Sequence, residues 1–275
     1  MATLQEYRER EHVSFSSLNQ FFNCSIQWFF QRIARIQPAY APVSLALGSA
    51  IHRTLEYVHL MRKEGKPASG VVDLFKDLWD RQVQDEKNIR FDDDITQDTC
   101  AAQGAGMIEC FVKNMDQDEQ VLSVNEAFCV PLIDAAGNTL EKPLVGEIDC
   151  VVSKGGKTVV VDWKSSAKRW SKTKCHKDLQ PSALLYAYEK MHGLVPDFRF
   201  DVVVKNKTPV IEHHSTTRTA DDFNRFAELV KVMEATVQAE LFYPNQSSFF
   251  CSNCPYDEAC KSWHRNKSKL ISVAA

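Results

Sequence analysis

Apolar side chains recur at helical spacing from the start of the chain: Leu18, Phe21, Phe22, Ile26, Phe29, Phe30 and Ile33 follow the capping-type residues Ser14 and Ser16. This pattern predicts one helix over 14–36, ended by Pro38 and Pro42. Leu47, Ile51, Leu55, Val58 and Leu60 predict a second helix over 44–63, closed by Lys66-Pro67. Val72, Phe75, Leu78 and Trp79 predict a third over 70–89. The acidic stretch 91–94 reads as a loop before a fourth helix over 96–116.

The period then changes. Residues 121–133 are β-rich, and Asp134 to Asn138 form a turn around Gly137. Strands over 144–153 and 157–165 flank Gly155-Gly156, a hairpin signal. The expectation for 121–165 is an antiparallel meander of three strands. A helix over 178–192, strands over 198–207 and 209–216, and a long helix over 219–240 follow. The tail, 241–275, offers aromatics, cysteines and little else. With no repeat or low-complexity linker in sight, the expected architecture is one α/β unit over 1–275 built on a mixed sheet. Helices of 44–116 would roof a sheet core at 121–216, and 241–275 would join Cys24.

Composition narrows this little. Hydrophobic content of 44% and charged content of 25% suit a soluble globular chain. No apolar run is long enough to span a bilayer, and MATLQEYREREHVSF lacks the features of a secretory signal, so the expectation is a cytoplasmic protein with no membrane partner. A net charge of −3 argues weakly against a nucleic-acid partner, but phosphate contacts need only a local basic footprint. One such run exists: Lys164, Lys168, Arg169, Lys172, Lys174, His176 and Lys177. By itself it reads as a solvated loop. Gly155-Gly156-Lys157-Thr158 is not a phosphate-binding loop, because Val151 stands where the first glycine is needed.

Two acids interrupt apolar strands, Asp149 in GEIDCVV and Asp162 in VVVDWKS. If the hairpin centres on 155–156, facing residues have numbers summing to about 311, which sets Asp149 beside Asp162. Lys164 shares the face of Asp162, because strand periodicity is two. An Asp-x-Lys alone would be explained by a strand-end salt bridge. Two acids breaking neighbouring apolar strands are harder to dismiss. Two carboxylates can hold Mg²⁺ or Mn²⁺, and an adjacent ammonium can orient water or stabilise developing charge, a set suited to phosphodiester hydrolysis. Glu147 lies on the face of Asp149. Glu126 is as well explained as a polar residue on an open sheet face.

Of the nine cysteines, Cys251, Cys254 and Cys260 form C-x₂-C-x₅-C. Three clustered thiols point to a metal, with Cys24 or His264 completing the set. Four thiolates suit zinc or a [4Fe–4S] cluster, and spacing does not choose. Cys100, Cys110, Cys129, Cys150 and Cys175 read as ordinary small buried residues.

Taken in order, LNQFFNCSIQWFF, LGSAIHRTLE, GEIDCVV, VDWKSS, DLQPSALLYAY and C-x₂-C-x₅-C resemble the RecB-like branch of the PD-(D/E)xK nucleases. The nearest likeness is to its iron–sulfur members, the AddB-type recombination nucleases and the CRISPR-adaptation Cas exonucleases. The resemblance implies a restriction-endonuclease-like fold with an N-terminal helical region and a C-terminal iron–sulfur region. It implies His52 as a ligand beside Asp149 and Asp162, catalysis by Asp149, Asp162 and Lys164 with Gln180 and Tyr186, and a [4Fe–4S] cluster on Cys24, Cys251, Cys254 and Cys260. Lys168, Arg169, Lys172 and Lys174 would contact DNA. The tyrosine follows the glutamine by six residues here, where the family's usual gap is four. The function expected is a Mg²⁺- or Mn²⁺-dependent exonuclease on single-stranded DNA ends, with any ATP motor supplied by a helicase, recombination or CRISPR-integrase partner. The alternative is a catalytically silent module that holds DNA ends in such a complex.

Overall fold

The computed structural model describes residues 3–86, 88–91, 95–248 and 251–265, apart from the side chains of His264 and Arg265. A short α1 (Leu4–Arg8), unforeseen in the sequence, precedes the first long apolar pattern. That pattern forms two helices, α2 (Phe15–Asn23) and α3 (Ser25–Arg32), instead of one. The break falls on Cys24, whose backbone is extended (φ −165°, ψ 102°) and whose side chain caps neither helix. The tail serves the break instead. The Tyr243 carbonyl accepts from the Ile26 N–H at 3.2 Å, and Ser25 Oγ accepts from the Tyr243 N–H at 2.9 Å and donates to its carbonyl at 3.2 Å. Helical periodicity continues across the break because both helices bury the same aromatic face.

Next come β1 (Ala41–Pro42), α4 (Val43–Lys63), α5 (Val71–Asp85), β2 (Ile89–Arg90) and α6 (Gln97–Lys113). The two short strands pair in parallel. Thr96 caps α6 from outside, its side chain accepting from the Thr99 N–H. The expected acidic loop at 92–94 lies outside the described residues.

The sheet contains β3 (Gln120–Val130), β4 (Leu144–Lys154), β5 (Lys157–Ser166), β6 (Asp197–Val204) and β7 (Val210–Thr216), in that spatial order. All neighbours are antiparallel except β5 and β6, which are parallel and are connected through α7 (Lys174–Lys177) and α8 (Gln180–His192). The sheet is therefore mixed, as expected. Cys150 faces Val161 and Val151 faces Val160, so the summed register of 311 is the one observed. The first strand ends at Val130, three residues early, because Pro131 cannot donate to the ladder. The basic run is not all loop, since part of it forms α7.

Both faces of the sheet are covered, in keeping with a restriction-endonuclease-like layering. Leu18, Phe30, Ile148, Val160, Phe200 and Phe226 belong to one core, with α2, α3, α8 and α9 (Ala220–Gln238) packed on it. Leu55, Trp79, Phe111, Cys150, Val161 and Trp163 belong to the other, under α4, α5 and α6. The tail holds one more helix, α10 (Asp257–Arg265), which the sequence pattern did not predict. Trp263 and Tyr256 are buried there against the first core.

Candidate active site

The β4–β5 ladder is regular through Cys150↔Val161 and goes no further. At the next position the Asp149 side chain replaces the backbone: its Oδ2 accepts from the Trp163 N–H at 2.9 Å. The strands part there, and the polar side chains converge in the gap. Asp162 is 2% exposed. Gln180 Nε2, at the start of α8, donates to Asp162 Oδ2 at 2.5 Å, and the Gln180 N–H is itself held by Asp178 Oδ1 at 2.9 Å. The Lys164 ammonium lies against Asp162 Oδ1. That contact is an ion pair between a buried carboxylate and a partly buried ammonium, and Asp162 helps to keep the ammonium charged. From α4, His52 Nδ1 comes within 3.6 Å of Asp149 Oδ2, with its ring edge toward Trp163.

The electrostatics follow from burial. Desolvation, and then the neighbouring Asp162, push the Asp149 carboxyl up to about 8 against the opposing pull of Lys164. Desolvation also works against the Lys164 charge, but Asp162 and Asp149 outweigh it and its ammonium is held above the usual range. Burial lowers His52, so its imidazole stays neutral with a lone pair to offer. Glu147, half-buried, is raised by burial and then by Glu56. One ammonium, Lys164, thus serves two closely placed carboxyl groups, and burial with mutual repulsion keeps Asp149 hard to ionise. Two carboxyl groups and a neutral imidazole are donor types that a divalent cation such as Mg²⁺ or Mn²⁺ accepts.

The structure brings together His52, Asp149, Asp162, Lys164 and Gln180. It does not bring Tyr186 to them. That hydroxyl donates to the Pro131 carbonyl at 2.8 Å and accepts from the Ile133 N–H at 3.0 Å, with the ring buried against Phe223. The six-residue gap after Gln180 carries Tyr186 up the helix into the core. Glu126 is likewise away from the cluster, paired with Ser123 and His192. Sequence reasoning missed two contributors. Trp163 holds Asp149 through its backbone, which no side-chain pattern reveals. Asp178 orients Gln180, and an aspartate two residues before a helix start was a readable signal.

Lys168, Arg169, Lys172 and Lys174 are all exposed. Their loop is pinned by Trp170, whose N–H donates to Glu212 at 3.3 Å and whose ring lies on Phe200 and His214. Lys174 Nζ sits 3.9 Å from the Trp170 ring centroid, and Arg169 pairs with Glu212.

Cys24, Cys251, Cys254 and Cys260 line one cavity with Asn23, Phe30 and Tyr256. Burial first, and then Cys24, Cys254 and Cys251, push the Cys260 thiol up to about 11. Their donor chemistry fits a thiolate-bound metal, and nothing in the cavity favours iron–sulfur over zinc. Among the described residues, however, no group of three or more His, Cys, Asp or Glu side chains is drawn together so as to hold a metal ion, here or at the carboxylates. The side chain of His264, the rival ligand, lies outside the described residues. Of the remaining cysteines, Cys100, Cys150 and Cys175 are buried as expected, whereas Cys129 is exposed. Among the described residues no helix is long and apolar enough to cross a membrane.

A family model described as the PD-(D/E)XK nuclease superfamily matches residues 12–261. Among solved structures, a candidate exonuclease from Eubacterium rectale is 15% identical, with a TM-score of 0.49, and the match covers 83% of this chain and 79% of that one. The protein SSO0001 is 11% identical, with a TM-score of 0.37, covering 90% and 98%. Likenesses so distant fix neither activity nor substrate. No curated protein matches the sequence.

Proposed function

Because this chain belongs to the PD-(D/E)XK nuclease superfamily, we propose that it hydrolyses DNA as a Mg²⁺- or Mn²⁺-dependent exonuclease acting on single-stranded ends. The observation that carries the reading is the meeting of Asp149, Asp162 and Lys164 where β4 and β5 part, with His52 beside Asp149. The single-strand part rests on the resemblance of the chain's ordered motifs to the RecB-like exonucleases.

In this reading Asp149, Asp162 and His52 hold the divalent ion. When bound, the ion polarises a phosphoryl oxygen and lowers the pKa of a coordinated water. Trp163 N–H fixes one Asp149 oxygen, and Gln180 fixes one Asp162 oxygen while Lys164 lies against the other, so both carboxyl groups are held in orientation at the gap. Lys164, charged at neutral pH, orients the attacking water and faces the negative charge that grows on the phosphorane. Lys168, Arg169, Lys172 and Lys174 meet the backbone of the incoming strand. Cys24, Cys251, Cys254 and Cys260 hold a [4Fe–4S] cluster with a structural task, tying the tail to the α2–α3 break. Iron and sulfide in stoichiometric amounts would support this, and stoichiometric zinc would replace it.

The test is cleavage of end-labelled single-stranded DNA with Mn²⁺. Asp162→Ala and Lys164→Ala should abolish product while circular dichroism stays unchanged. Undiminished cleavage by either variant refutes the assignment. A wild-type protein that binds DNA ends and cuts none would be a silent accessory module instead.

A further inference from the structure

Asn125 lies in the interior of β3 with φ +49°, the left-handed region, where a strand residue is rarely found. Its neighbours pair regularly, Val124 with Cys150 and Glu126 with Ile148, so the residue it would face on β4 is Asp149, and that one pairing is missing. Both strands turn over at this point. On β4, Leu144 and Ile148 belong to the core under α8, whereas Cys150 and Val152 belong to the core under α4. On β3, Phe128 and Val130 join the first core, whereas Val124 packs against the second. Residues of the same parity thus exchange faces between 124 and 128 and between 148 and 150.

The turnover explains the geometry of Asp149. A side chain at a regular position stands perpendicular to the sheet. At the exchange of faces it lies along the sheet toward β5, where its carboxylate accepts the Trp163 N–H. The bend is clasped from outside: Ser123 Oγ donates to Glu126 Oε2 at 2.6 Å, and Glu126 Oε1 meets His192 Nε2, at the end of α8, at 2.7 Å. Backbone strain of this kind persists only where the surroundings over-determine it, and it gathers at functional sites.

We propose that Asn125 is a positioning residue: its left-handed backbone turns β3 and β4 over at one point and so directs the Asp149 carboxylate into the gap beside Asp162. The inference rests on the nuclease reading only for the purpose of the gap. Its test therefore uses amide hydrogen exchange at Trp163 and Mn²⁺ titration, neither of which needs cleavage. Asn125→Val, β-branched and unfit for positive φ, should speed Trp163 exchange and weaken Mn²⁺ binding, each by about tenfold or more, while the β6 and β7 amides keep their protection. Asn125→Gly accepts the conformation freely and should stay close to wild type on both measures. If Asn125→Val does not fold, Asn125→Ala carries the test with a smaller acceleration in the same direction. Unchanged Trp163 protection in the Val or Ala variant overturns the proposal. So does an Asn125→Gly protein as impaired as Asn125→Val, which would transfer the role to the side chain. A wild-type protein that cuts no DNA would refute the nuclease reading and leave this exchange test intact.

Discussion

Replacing Asp149 with asparagine should stabilise the protein while ending cleavage, and the two effects share one cause. The Asp149 carboxyl is pushed from 3.8 up to about 8, first by burial and then by Asp162. A group raised in the folded state contributes stability that is fully present below its unfolded pKa and is lost as pH rises through the folded one. For Asp149 that window runs from about 4 to about 8. The gap corresponds to fold stability on the order of 5 kcal/mol withheld once the group is ionised. Asparagine removes the titration and keeps an oxygen to accept the Trp163 N–H. Urea midpoints at pH 5, 7 and 9 should therefore fall more steeply for wild type than for Asp149→Asn, at equal m-value. At pH 9 the variant should be the more stable protein by a few kcal/mol. Mn²⁺ should restore the wild type at high pH and leave the variant where it was. Parallel pH dependences, or a variant less stable at pH 9, would refute the account of a carboxyl raised by burial and by Asp162.

Arg199 makes two hydrogen bonds to Glu119 and two to Asp201, both carboxylates nearly buried, so Arg199→Met should cost about 3–5 kcal/mol in chemical denaturation, and a loss under about 1 kcal/mol would mean that His213 suffices for Asp201. A Cβ on Gly146 would stand 2.5 Å from Phe128 Cζ, so Gly146→Ala should destabilise by about 1–3 kcal/mol, and an unchanged midpoint would show that the ring moves freely. Neutralising Lys168, Arg169, Lys172 and Lys174 to glutamine should weaken DNA binding evenly across sequences and flatten its salt dependence. On single-stranded DNA the log–log slope should fall by about 0.7 for each of these cations that meets a phosphate, and an unaltered slope would place the phosphate path elsewhere.

The strand register and the meeting of Asp149, Asp162 and Lys164 were legible because a Gly-Gly hairpin is a local device: once 155–156 turn, everything back to the acids is counted off in pairs. Long-range causes left no such trace. The break at Cys24 is imposed by Tyr243, a partner far away in sequence, while the local pattern on its own spells an unbroken helix. α10 was hidden because its inward residues Ala259 and Cys260 read as part of a cysteine motif and Trp263 as one more aromatic of the tail. Tyr186 shows the reverse error, a family role assigned to a side chain that helix geometry carries into the core. Asn125 did leave a faint sign, since asparagine is depleted in strands and tolerates positive φ. Nothing local, however, says which asparagine in a strand is bent.

The clasp between Ser25 and Tyr243 also sets a timetable. A ribosome extends a chain by about 5–20 residues per second, so roughly 10–40 s separate the synthesis of the two partners. Throughout that interval Trp28 and Phe29 wait for Phe242, and Phe30 waits for Tyr256. The nascent amino-terminal segment therefore carries an uncovered aromatic surface for most of its own translation. A chain stalled before the tail emerges would leave that surface open to aggregation.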